Sequence, residues 1–277
     1  MLTPVKNYPA LLHTQKQHRT LIVADLHLGW EMNLAERGIY IPSQMTKILQ
    51  KLLQLIEETK PNTLLFLGDV KDTIAKAGTS EWQDVPDFFE AVKRKVGDVQ
   101  IIRGNHDGNL EPLLPPTVRL HPSTGIALDD TGLFHGHTWP AKKLLRCSTL
   151  VMGHVHPTAA FRDSLGFQIT TPVWIKAECD AEKFAEVYAK SKHIKAVIGN
   201  SIATIKKHFN INLKVKQLII VPFFNDFLGG RPINRRREQR SYVGPVLRSE
   251  AVDIDKAHVY LLDGTFLGTV EQLKALN

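Results

Sequence analysis

The chain has 277 residues, nearly twice the ~150 of an average domain, so it can bury a full core as one large domain or two small ones. Hydrophobic residues make up 43% and charged residues 23%, which excludes disordered, collagenous and coiled-coil classes. The net charge of +7 is unevenly held, because residues 187–248 carry 13 Lys and Arg against Asp226 and Glu238, a local +11 that leaves −4 for the rest.

Residues 1–20 lack the long apolar stretch of a secretory signal, and no apolar run approaches the ~20 residues of a membrane span. This predicts a soluble cytoplasmic protein with no membrane partner. The first strand is expected at Thr20–Ala24, an apolar run ending in Asp25-Leu26-His27. Pro42 or Ser43 then opens a helix with Met45, Ile48, Leu49, Leu52, Leu53 and Ile56 on one face. Asn62–Leu67 reads as a second buried strand running into Gly68-Asp69, followed by a helix over Trp82–Lys95. Val99–Ile102 leads into Arg103-Gly-Asn-His-Asp107, so the first third reads as βαβαβ around a parallel sheet.

After Pro115-Pro116 the pattern changes to short strands, 118–120, 126–128, 132–134, 150–152, 167–170 and 173–175, which suggests a second, more antiparallel sheet. Helices are expected at Asp180–Lys192, with Asp180 as N-cap, and at Ile194–His208. A strand at Lys216–Pro222, an exposed basic loop at Arg231–Tyr242, a strand at Val259–Leu262 and a helix at Val270–Leu276 complete the chain. Cys147 and Cys179 form no CxxC pair and read as ordinary thiols. Trp30, Trp82, Trp139 and Trp174 read as packing residues rather than base-stacking platforms.

The chemistry lies where the apolar runs stop. Asp25 and His27, then Asp69, then Asn105, His106 and Asp107 each follow a buried strand, and ligands in α/β sheets bind beyond such carboxyl ends. Phe134-His135-Gly136-His137 and Met152-Gly153-His154-Val155-His156 follow two more. One strand-end His or Asp is ordinarily a surface or satisfied core residue. Five such ends in one chain form a constellation, and its mix of carboxylate, imidazole and amide suits hard or borderline divalent cations. An aspartate can bridge two ions about 3.5–4 Å apart, which can clamp a phosphoryl group and activate a water.

Asp25-x-His27, Gly68-Asp69, Gly104-Asn-His-Asp107, His135 and Gly153-His-x-His156, in this order, resemble the signature of the calcineurin-like metallophosphoesterase superfamily. The segments 25–31, 135–140, Pro222-Phe-Phe-Asn225 and Gly229–Asn234 are further similar to the ICC-like predicted phosphoesterases, relatives of bacterial DNA-ligase-associated metallophosphoesterases. The resemblance implies a single domain over 1–277 with a four-layer α/β/β/α sandwich of two mixed sheets flanked by helices. It implies one metal held by Asp25, His27, Asp69 and His156, and a second held by Asp69, Asn105, His135 and His154, with Asp69 as the bridge. The ions implied are two divalent metals, manganese foremost, with Fe, Zn or Ni also accommodated. His106 would face the substrate as acid or electrostatic stabiliser, and Asp107 would orient its ring. His137 would approach substrate beside His135 or support the ligands from behind.

The function so implied is hydrolysis of phosphodiesters by a metal-bridging hydroxide, with DNA or RNA as substrate and DNA-repair proteins as partners. The basic segment supports a polyanionic substrate, with Lys206, Lys207, Arg235, Arg236 and Arg237 as phosphate contacts, or else it is a solvated face. The competing readings are a phosphatase or phosphodiesterase for a small molecule, and a nucleic-acid-binding protein without activity. The complete set of seven ligand positions argues against the last.

Overall fold

The computed structural model describes residues 1–74, 81–163, 165–197, 199–235, 242–249 and 251–276. Its first half contains β1 (Leu2–Pro4), β2 (Ala10–Gln15), β3 (His18–Val23), α1 (Glu31–Ala35), α2 (Met45–Thr59), β4 (Thr63–Phe66), α3 (Glu81–Lys93), β5 (Asp98–Ile102) and β6 (Arg119–His121). These six strands form one sheet in chain order, antiparallel through β1-β2-β3 and parallel through β3-β4-β5-β6. The expected βαβαβ core is therefore present, and the sequence reading had missed the β1-β2 hairpin at its edge.

The second half contains β7 (Ile126–Leu128), β8 (Thr131–Leu133), β9 (Thr149–Met152), β10 (Pro157–Arg162), β11 (Gln168–Pro172), β12 (Trp174–Glu178), α4 (Ala181–Ser191), α5 (Ser201–Phe209), β13 (Gln217–Ile220), β14 (Arg231–Pro232), α6 (Pro245–Arg248), β15 (His258–Tyr260), β16 (Phe266–Thr269) and α7 (Val270–Ala275). Seven of these strands form a mixed sheet, β16-β15-β12-β13-β9-β8-β7, parallel only across β13-β9-β8. A three-stranded sheet, β11-β10-β14, stands beside it.

Strand alternation explains the layers. Leu21, Val23, Leu64 and Phe66 pack outward against Ile48, Leu52 and Leu55 of α2 and Phe88 and Phe89 of α3. Their neighbours Ile22, Leu65 and Leu67 turn the other way and meet Leu133, Val151, Trp174 and Val221 of the seven-stranded sheet. Leu150, Met152, Ile175 and Leu218 face outward again, onto Phe184 and Tyr188 of α4 and Ile205 of α5. Strands buried on both faces read as unbroken apolar runs, which is why they were visible in the sequence. The result is two mixed sheets packed face to face between helices.

Two boundaries differ from expectation for local reasons. The helix expected over Ile194–His208 is shorter, because His193 takes a left-handed φ of 57° and the chain becomes helical again only at Ser201. There the Glu182 carboxylate accepts from the backbone N–H groups of Ser201 and Ile202, so the end of α5 is set by a side chain on α4. The basic loop expected from Arg231 begins instead as a short strand, and residues 236–241 lie outside the described part. Cys147 and Cys179 are both free, and burial pushes both thiols up, Cys179 to about 12. Among the described residues no helix is long and apolar enough to cross a membrane.

Asp180 caps α4 as expected, its Oδ1 accepting from Glu182 N and Lys183 N at 3.0 Å each. Asp180→Ala should therefore lower stability by about 1 kcal/mol in urea unfolding, the usual cost of a lost N-cap. A change within error would mean that packing alone holds this helix start.

Candidate metal centre

Five strands, β3, β4, β5, β8 and β9, deliver polar residues to one edge of the sandwich. The turns there are unusually tight: Asp25, His27, Asp69, His154 and His156 all have left-handed backbone, with φ of 56°, 46°, 49°, 70° and 49°. Such conformations cost non-glycine residues of order 1–3 kcal/mol each and persist only where the surroundings over-determine them. Here the loops brace one another, with Asp25 N–H donating to Gly68 O at 3.2 Å, His27 N–H to Asp69 O at 2.9 Å and Leu28 N–H to Val70 O at 2.8 Å. Gly104 serves the same crowding, because a Cβ there would overlap both the Asp69 carboxylate and its backbone nitrogen.

The side chains form two adjoining groups. In Asp25, His27 and His156, and again in Asp69, His135 and His154, one nitrogen or oxygen from each residue lies within 4.8 Å of the others. Asp69 joins the groups, its Oδ2 lying 3.5 Å from His27 Nε2 and 3.2 Å from His135 Nε2. Asn105 Oδ1 lies 3.2 Å from His135 Nε2 and completes the second group. The structure thus brings together all seven residues singled out in the sequence.

Asp25, Asp69, His135 and His27 are each aimed by a second contact. Asp69 Oδ1 accepts from His106 N–H at 2.9 Å, leaving Oδ2 to face the histidines, and both oxygens of Asp25 share His154 N–H, Oδ2 at 2.9 Å and Oδ1 at 3.2 Å. His135 Nδ1 is 2.6 Å from the Leu67 carbonyl and must donate to it, which turns Nε2 toward Asp69 and the centre. His27 Nδ1 is 2.9 Å from Asp72 Oδ1, and its Nε2 is buried without a hydrogen-bond partner. An orphaned imidazole acceptor among buried carboxylates fits a divalent cation better than any internal hydrogen-bond network.

Asp72 is the main residue that the sequence reading missed. Its carboxylate also accepts from Asn33 Nδ2, and its carbonyl accepts from His106 Nδ1. Asp72 follows Asp69 by three residues in the same strand-end loop, a spacing that could have been noticed, whereas Asn33 carries no sequence signal. The same contacts correct the expected role of Asp107. Its fully buried carboxylate takes Val70 N–H and Gly104 N–H, each at 2.8 Å, and so clasps two loops. The His106 ring is oriented by the Asp72 carbonyl instead, because Asp107 spends its acceptors on backbone.

Electrostatics follow from this packing. Burial opposes charging His135, but the Asp69 and Asp25 carboxylates outweigh it and lift the ring to about 9 in the metal-free site. Burial likewise opposes His27, which Asp72, Asp69 and Asp25 raise. Asp69 and Asp25 stay below the ordinary carboxylate range despite burial, chiefly through His135 and His156 respectively. His154 and His137 are pushed down to about 3 and about 4 by burial and then by the charge on His135. The His137 ring packs 5.2 Å from His135 and 6.0 Å from His154, with Nδ1 buried and unpartnered.

A cleft of about 230 Å³ opens over the centre, lined by His27, Asp69, Asn105, His106, His154 and His156 together with Arg231. The basic residues singled out in the sequence lie elsewhere. Lys206 and Lys207 are exposed on α5, and Arg235 is exposed and donates to Gln168 Oε1. Arg236 and Arg237 fall outside the described residues.

Residues 18–199 match the family described as calcineurin-like phosphoesterase. No curated protein sequence matches the chain. Among solved structures, nuclease MPE of Pseudomonas putida is similar with a TM-score of 0.50 at 18% identity, covering 95% of this chain and 98% of that one. YfcE, a phosphoesterase from E. coli, is similar with a TM-score of 0.34 at 22% identity, covering 52% and 74%.

Two predictions follow from the geometry. Asp72→Asn should weaken divalent-metal binding about 10- to 100-fold in calorimetric titration with Mn²⁺, the usual effect of loosening a ligand histidine; unchanged affinity would show that packing alone orients His27. The second concerns pH. His135 is raised from 6.5 to about 9, so the stability it lends the metal-free fold is complete below pH 6.5 and gone above 9. A cation replaces that proton, so the rise in melting temperature on adding metal should grow from pH 6.5 to 9. A metal-induced rise that is flat or shrinking over this window would mean that His135 does not exchange a proton for metal.

Proposed function

The chain belongs to the calcineurin-like phosphoesterases, hydrolases of phosphoric esters, and from that footing we propose a dinuclear-metal phosphodiesterase that acts on nucleic acid. The observation that carries the reading is the position of Asp69 Oδ2 between His27 and His135. In this proposal Asp25, His27, Asp69 and His156 hold one divalent ion, and Asp69, Asn105, His135 and His154 hold the other, with manganese the favoured metal. When bound, such ions supply Lewis acidity that polarises the phosphoryl group and lowers the pKa of the attacking water.

The chain's own residues do the rest. His106 is held through Nδ1 by the Asp72 carbonyl, so its Nε2 is left to serve the cleft it lines. There it hands a proton to the leaving oxygen or steadies charge on the phosphoryl group. Its backbone N–H fixes the bridging carboxylate, which couples the acid to the metal geometry. A nucleic-acid substrate is supported by the local +11 of residues 187–248. The similar fold of the Pseudomonas putida nuclease points the same way.

The test is hydrolysis of bis-p-nitrophenyl phosphate, p-nitrophenyl phosphate and plasmid DNA side by side, with Mn²⁺ or with EDTA. The diester and DNA should be cleaved with Mn²⁺ and not with chelator, whereas cleavage of the monoester alone would favour a small-molecule phosphatase. Asp69→Ala should abolish both activity and stoichiometric metal. His106→Ala should keep its metal and lose roughly 100-fold in rate; loss of metal from that variant would make His106 a ligand.

A further inference from the structure

The segment Gly229-Gly-Arg-Pro-Ile-Asn234 is conspicuous in the sequence, yet the metal centre uses none of it. In the structure its centre, Arg231–Pro232, is the short strand β14, and the residues on either side of Pro232 are fastened to β10 and its approach. Arg231 N–H donates to the His156 carbonyl and Ile233 N–H to the Thr158 carbonyl, each at 2.8 Å. Buried Asn234 accepts from Ala160 N–H at 2.9 Å and donates back to Ala160 O at 2.7 Å. A Cβ on Gly230 would meet the His156 carbonyl at 2.8 Å and the Phe223 ring at 2.9 Å, besides overlapping the Thr158 methyl. Only glycine lets the strand lie so close. Pro232 narrows the remaining backbone freedom. The outcome of all this fastening is one exposed side chain, Arg231, seated beside a ligand-type residue and lining the cleft.

Of the described residues that line the cleft, Arg231 alone carries a fixed positive charge. No described carboxylate or carbonyl pairs with its guanidinium. An unpaired planar fork of donors is the side chain best suited to grip phosphate oxygens. Its position says which phosphate. The His27 ring packs edge-on against both the His106 and the His156 rings, 4.7 and 5.0 Å between centroids, and Arg231 N–H is bonded to the His156 carbonyl. His106 serves the leaving oxygen. A phosphodiester chain with its scissile group between Asp69 and His106, and running on past His156, would bring its neighbouring phosphate to Arg231.

Resting on the phosphodiesterase reading above, we infer that Arg231 forms a second phosphate subsite, which selects substrates with at least two successive phosphodiester groups over single-phosphate esters. It is a specificity-determining residue, and the Gly-Gly-Arg-Pro strand exists to position it.

The test compares Arg231→Gln and Arg231→Lys with wild type on two substrates, bis-p-nitrophenyl phosphate and a short single-stranded oligonucleotide. Binding of the labelled oligonucleotide in EDTA, followed by fluorescence anisotropy over a range of salt, gives a readout independent of turnover. Arg231→Gln should leave kcat/KM for the small diester within about twofold and lower it for the oligonucleotide roughly tenfold, the scale of one lost hydrogen bond to a charged group. The log-log salt slope of binding should become shallower by about 0.7, one phosphate contact on a single strand. Arg231→Lys should keep the slope and recover part of the rate, because it retains the charge without the fork. Equal losses on both substrates would put Arg231 on the scissile phosphate, and no loss on either would make it a surface residue; both outcomes overturn the subsite. Wild-type protein that cleaves the small diester but neither binds nor cleaves the oligonucleotide overturns the subsite together with the nucleic-acid reading. Wild-type protein without any diester activity, yet with oligonucleotide binding that Arg231→Gln leaves unchanged, overturns the subsite and the phosphodiesterase reading alike.

Discussion

Carboxylates buried side by side govern this structure. Asp25, Asp69 and Asp107 are each at most 2% exposed, and like charges so close in apolar surroundings protonate unless cations answer them. The fold answers unevenly. Asp25 and Asp69 are held low by the imidazoles they face, whereas on Asp107 burial and then the charge on Asp69 outweigh His135 and raise it. That contrast separates metal-type carboxylates from a structural one. Asp107 can be spared a cation because two backbone N–H groups already satisfy it. Asp69 Oδ2 takes no backbone donor and faces His27 and His135, and Asp25 Oδ1, though it shares the His154 N–H, faces His135 and His156.

The backbone strain at the centre has the same origin. Seven side chains must converge from five strands spaced by ordinary sheet geometry, so the chain has to turn within a few residues of leaving several of them. Left-handed Asp and His residues make that turn while also carrying the functional group, which a glycine could not do. The cost is carried by the sheets, whose strands are buried on both faces and leave the turns no room to relax. The loops then lock pairwise, Asp25 to Gly68 and His27 to Asp69, so distortion of one ligand loop is transmitted to the next.

Much of this was legible in the sequence because it depends on local contrast. An apolar run that stops at Asp, His or Asn is visible without a fold, and so the seven residues that the structure gathers at the centre and the strand-helix alternation of residues 20–107 stand out in the sequence. Contacts between distant segments were not legible. The hairpin β1-β2 packs one edge of the sheet with a mixed polar pattern that reads as loop, and the start of α5 is set by Glu182 on a different helix. The orientation of His106 went wrong for a similar reason: Asp107 is adjacent in sequence, but the ring is held by a main-chain carbonyl 34 residues away, and a carbonyl has no letter.

The two sheets contribute opposite halves of the centre, Asp25, His27, Asp69 and Asn105 from one and His135, His154 and His156 from the other. Their relative position is therefore part of the chemistry, and the chain provides ties for it. After β13 it crosses to the first sheet, where Phe224 N–H donates to Ala24 O at 2.8 Å and Asn225 Nδ2 to Leu26 O at 2.8 Å, on either side of Asp25. Lys51 of α2 then donates to Phe224 O at 2.9 Å and Asp226 Oδ1 at 2.6 Å, holding the crossing from the helix layer. The same crossing continues into the strand that lies along His156. One connection thus fixes the first aspartate, spans the seam and ends at the cleft, so the register between the sheets and the position of Arg231 cannot vary independently.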